Sequence, residues 1–99
     1  MEEANKAKAL AAALERLMGN RDFQAVVLVG FLQQEAVRLV QAKAVPDNQS
    51  PEKQSAILRG LDAVGHFHQF LLNVSLQAEV AEKTLEDSES ERDLLLARG

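Results

Sequence analysis

Apolar residues recur at steps of three and four from Ile57 to Leu85, and this spacing predicts one long amphipathic helix over about 51–87. Its stripe is Ile57, Leu61, Val64, His68, Leu71, Ser75, Ala78, Glu82 and Leu85, with Ile57, Val64, Leu71, Ala78 and Leu85 at one heptad place. A second apolar strip, Phe67, Phe70, Val74 and Ala81, lies beside the first. Two adjacent strips imply two neighbours. Ser50, Pro51 and Glu52 supply an N-cap, a proline at the first helical position and an acid in the first turn.

Two helices are predicted upstream. The first runs over about 2–18, with Ala7, Leu10, Leu14 and Leu17 on one stripe and Ala11 and Met18 beside it. Gly19 stops it, and Asn20 caps the next. The second runs over about 21–44. Its Ala25–Leu32 band is apolar all round, so it is expected to be buried all round. The valines there also suit a strand. Ala36, Leu39 and Val40 nevertheless continue at helical spacing, with no turn residue between. Gly30 either allows a close helix crossing or is simply tolerated, and Gly60 and Gly65 offer close approach on the long helix. The loop around Pro46 joins two long helices, which predicts an antiparallel hairpin. Near the end, Ser88 and Glu91 are spaced as a capping box. Either the long helix breaks near Asp87 and a short helix follows over 89–97, or one helix continues to Ala97.

The expected fold is therefore all-α: a long antiparallel helical hairpin plus an N-terminal helix, assembled into an oligomeric helical bundle. At 99 residues the chain makes a single domain, 1–99, with a modest core. It has four Phe and no Trp, Tyr or Cys, so the core must come from aliphatic residues and disulfides are excluded. Phe23, Phe31, Phe67 and Phe70 are the expected packing or interface anchors, supported by Val27, Leu61, Leu71 and Leu95. The acidic start does not read as a signal peptide. The Ala25–Leu32 run falls far short of the roughly 20 residues that a membrane span needs, so no membrane role is expected.

The net charge of −4 resides in residues 79–99, while the rest of the chain balances to zero. Duplex-binding surfaces concentrate the opposite sign, and no aromatic interleaves with the scattered basic residues, so direct nucleic-acid binding is not expected. His66 and His68 diverge on a helix and lack a third ligand, which leaves no metal site. Asp62 stands four residues before His66, as in a surface ion pair. His68, on the stripe, is expected to be partly buried. Ser75 is expected to bond back to the preceding turn. No nucleophile elbow or phosphate loop occurs. No catalytic residue, cofactor site or enzymatic activity is expected.

Arg21-Asp22-Phe23, Glu35 to Val40, Lys43-Ala44 and Pro46, followed by Leu61 to Gly65, Phe70 and Ala81-Glu82, form a diffuse set with no diagnostic catalytic or metal motif. Over roughly 20–95 the chain thereby resembles small helical proteins from the virion-structure and morphogenesis gene module of tailed bacteriophages. That resemblance implies a non-enzymatic structural or assembly role, in the virion or host cytoplasm. Contacts with other phage structural proteins go with that role, and self-association is expected separately, because the helical hairpin has more apolar surface than it can hide alone. A small terminase-like DNA-packaging component and a host-directed inhibitor that binds a bacterial protein stand as alternatives.

Overall fold

A computed structural model describes the backbone of residues 2–98, and the side chains of all of these except 85, 88–91, 93, 97 and 98. The fold is all-α. Helix α1 spans Glu2–Met18, α2 spans Arg21–Ala44, and α3 spans Pro51–Arg98. A short 3-10 turn, Pro46–Asn48, lies in the loop. At 48 residues, α3 is about 72 Å long and sets the 75 Å length of the molecule.

Polar side chains fix the helix ends. Asn20 Oδ1 accepts the Phe23 amide at 3.0 Å, and Gln24 Nε2 donates to the Met18 carbonyl at 2.7 Å, so one junction is closed from both sides. Ser50 Oγ accepts the Lys53 amide at 3.2 Å as the N-cap of α3. The last carbonyls of α2 would otherwise lack partners. Asn48 Nδ2 donates to Ala42 O at 3.0 Å, and Gln54 Nε2 donates to both Lys43 O and Asn48 O at 2.9 and 2.8 Å. Gln54 thus ties the end of α2 to the start of α3.

Both upstream helices run opposite to α3 and occupy successive stretches of it. Ala4 and Ala7 lie beside Val80 and Ala81, and Leu14 and Met18 face the 64–75 stretch. Phe31 meets Phe67, Leu39 meets Gly60, and Lys43 meets Gln54. The seam on α3 is Ile57, Gly60, Val64, Phe67, Leu71, Val74, Ala78 and Ala81, at alternating steps of three and four. The expected heptad place 57, 64, 71 and 78 is therefore correct. Its expected companions are not: Leu61 is only half-buried, and His68, Ser75 and Glu82 are exposed. The seam instead takes Gly60, Phe67, Val74 and Ala81, one position earlier; the last three belong to the expected second strip, and Gly60 lets Leu39 close against α3. Position 85 lies outside the described side chains.

Other expectations change as well. On α1 the inner stripe is Ala4, Ala7, Ala11 and Leu14, while Leu10 and Leu17 face outward. The Ala25–Leu32 band is not buried all round: Val26 is 70% exposed, and no residue from Gln24 to Glu35 is fully buried. Over that stretch the turns of α2 widen to the π form, where each amide bonds five residues back. A Cβ on Gly30 would stand 3.0 Å from the Ala25 carbonyl oxygen, so this glycine accommodates its own wide turn instead of a crossing helix. Of the two readings of the chain's end, the structure takes the second: α3 continues past Asp87 through Leu94–Leu96 to Arg98. The Ser88 and Glu91 side chains of the expected capping box lie outside the described residues.

Candidate interaction surface

The buried core among the described residues is small: Leu39, Ile57 and Val64 form one cluster, and Val74 and Ala81 add to the seam farther along. Leu39 was not legible as a core residue, since its neighbours Val37 and Val40 are equally apolar. Around the cluster pack Phe31, Leu32, Ala36, Ala42 and Leu61. The Phe31 and Phe67 rings meet edge to face, with centroids 5.8 Å apart at 79°.

The expected anchors divide. Phe31, Phe67, Leu61 and Leu71 stand along the α2–α3 contact, and Phe23 and Val27 are half-buried near the start of α2. Phe70 departs from the seam and is 56% exposed, and Leu95 is exposed near the end of α3. His68 is exposed, and with Ser75 it lines a groove. Among the described side chains, the Thr84 hydroxyl bonds back to its helix, Oγ1 donating to Val80 O at 2.9 Å.

That groove has a volume of about 820 Å³ and lies where α1, α2 and α3 meet. Leu14 and Met18 of α1, Leu28 and Leu32 of α2, and Val64, Leu71 and Leu72 of α3 line it, with Gly65 on its floor. Nothing lies within 4 Å of where a Cβ on Gly65 would stand, so the close approach expected there is not made within this chain.

Helical spacing extends the groove into a face. Val37 and Val40 follow Gln33 by four and seven residues, and Leu58 and Leu72 stand seven residues either side of Gly65. All four valines and leucines are exposed, as is Leu76 farther along. Sequence reasoning placed Gly65 and Leu61 near this strip but assigned the strip to no surface.

The other flank is mixed, with exposed Phe70 two heptads beyond Ala56 on α3. Arg38 and Ala56, each two residues from Val40 and Leu58, lie about 160° round their helices, beside Lys53 and Asn48. Arg38 donates from Nε and Nη2 to the two Glu35 carboxylate oxygens, a forked pair along α2. Hydrogen bonds from Arg38 hold the Glu35 carboxyl below its ordinary pKa and raise that of Arg38. Among the described residues, no group of three His, Asp or Glu side chains gathers to hold a metal.

Helix α2 is long and apolar enough to cross a membrane, with a mean hydropathy of 1.3 over its best window. No protein-family model matches the chain, and no curated protein or solved structure matches it significantly.

Proposed function

We propose that this chain is a non-enzymatic assembly module that works by helix–helix self-association. Its hairpin of α2 and α3 would be completed in an oligomeric bundle. The observation that carries this reading is surface. The chain exposes 7,700 Å², whereas a compact monomer of 10.9 kDa would expose about 5,600 Å². Its radius of gyration is 20.8 Å, against about 13 Å for a compact chain of this length. Large apolar side chains are exposed on all three helices. Exposed apolar surface on this scale favours association.

The setting in this proposal is particle building in a tailed phage, as a structural or assembly component. Support for it is the resemblance over residues 20–95. Insertion of α2 into a membrane is the rival reading that its apolar length favours. Glu35 and Arg38 sit within α2, flanked by Gln33, Gln34 and Gln41. Charges near a bilayer centre cost about 2.5–3.5 kcal/mol each on insertion scales, which argues for a protein partner on this helix.

Light scattering over a range of concentrations and salt tests the reading. A discrete oligomer that persists at high salt is expected, because apolar burial is not screened. A monomer at every concentration rejects self-association. Many copies in purified particles would support the virion setting. Absence from particles together with salt-dependent DNA binding would point to a packaging component instead.

A further inference from the structure

We infer that helix α1 is exchanged between two copies of this chain, so that α1 of each lies on α3 of the other in the contact it makes with its own α3 in the structure. The inference rests on the self-association proposed above and specifies the element that carries it.

The later half of the α3 seam is already covered, and its cover is α1. Ala4 and Ala7 lie beside Val80 and Ala81, and Val74 and Ala81 are buried on this stretch. Helix α1 meets α3 along its length but touches α2 mainly at the junction between them. None of its own residues is fully buried. It is held through one face by one helix, and α3 of a second copy offers the identical site. Exchange of such an element is a low-cost route to a dimer, because the contact exists in the single chain.

The junction lets α1 leave. Gly19 and Asn20 alone separate α1 from α2. Gly19 does not take a left-handed φ, and Asn20 is extended, with φ −80° and ψ 125°. With both residues helical, α1 and α2 would form one helix over 2–44, about 64 Å long. The amides of Asn20 to Phe23 would then bond to the carbonyls of Arg16 to Gly19. Ordinary helix bonds would replace the Asn20 and Gln24 side-chain bonds that close the bend. Such a helix cannot keep both of its halves on its own α3. Leu14 and Leu28 line the same groove, whereas in a straight helix they would stand about 21 Å apart. With α2 held at Phe31 and Leu39, α1 would project past its own docking site and reach that of a second copy. A two-fold axis makes both α1–α3 contacts at once.

The chain contains no cysteine, so thiol crosslinks report chosen contacts alone. Ala7→Cys and Val80→Cys lie on the two sides of the α1–α3 contact. Copies carrying one or the other, on chains of different mass, are mixed in denaturant, refolded at high concentration and treated with a short bis-maleimide. Linked pairs of unlike chains are expected, and a chain carrying both cysteines should link into dimers. Oligomers in which that double variant links only within itself overturn the inference and leave self-association standing. A chain that stays monomeric at every concentration overturns both. The junction supplies a second test. Asn20→Ala removes the cap and favours a helical residue there, and should strengthen dimerisation about tenfold. About six Gly and Ser residues inserted after Gly19 break the straight helix and let α1 return to its own α3, and should weaken dimerisation about tenfold. Unchanged dimerisation in either variant overturns the inference.

Discussion

Leu39 occupies the space that a side chain on Gly60 would need: its two terminal carbons lie 3.1 and 3.2 Å from where a Cβ would stand. Leu39 is itself buried against Ile57 and Val64, so it has little room to yield. Alanine at 60 gains about 1 kcal/mol in helix propensity, and the crowding of Leu39 offsets that gain. Gly60→Ala is therefore expected to leave the melting temperature nearly unchanged. Gly60→Leu overpacks the same point and should cost about 1–3 kcal/mol. Denaturant titration of the two variants checks this, and a tolerated leucine would show that the seam opens freely at this point.

Gly30 meets a different obstacle. Its neighbour is a backbone carbonyl that cannot rotate away as a side chain can. Gly30→Ala should therefore forfeit the propensity gain of about 1 kcal/mol and lower stability. If thermal melts show the full gain, the wide turns of α2 are not maintained in solution.

The edge-to-face contact of Phe31 and Phe67 should carry a coupling of about 0.5–1.5 kcal/mol beyond the area each ring buries. A double-mutant cycle with Phe31→Leu and Phe67→Leu measures it. Additive effects would reduce the pair to two independent apolar contacts.

Gln54 donates to two carbonyls across the α2–α3 connection. Each hydrogen bond contributes about 0.5–1.5 kcal/mol net. Gln54→Ala is expected to destabilise by about 1–2 kcal/mol and to speed amide exchange from 42 to 54 first. It should not alter the oligomeric state, because the side chain points into the connection. A variant with native stability would mean that solvent serves those carbonyls equally well.

The helix ends could be read from the sequence because each is set by local chemistry. Asn20, Pro46, Ser50 and Pro51 mark the boundaries that their side chains then make. Which face of α3 packs inward could not be read as surely. Leu61 is larger and more apolar than Gly60, yet Gly60 takes the seam position and Leu61 packs at its edge. Closeness of approach outweighed side-chain volume at those positions. On α1 the same thing happened: Ala4, Ala7 and Ala11 face inward, whereas Leu10 and Leu17 do not. The π turns of α2 left no signal beyond Gly30, whose constraint lies five residues back in its own backbone. The groove arises where three helices meet, and no single helix pattern contains it.

An uninterrupted α3 makes the molecule a torsion rod, in which anything that happens at one end is registered at the other as rotation. Each added residue would turn everything beyond it by about 100°. One residue inserted near Gln69 would therefore swing Val74, Ala78 and Ala81 away from α1 while leaving Ile57 and Gly60 in place against α2. Seven inserted residues would restore the alignment to within about 20°. Length variants of this chain are accordingly expected to differ in α3 by about seven, eleven or eighteen residues, each of which restores the seam to within about 20°.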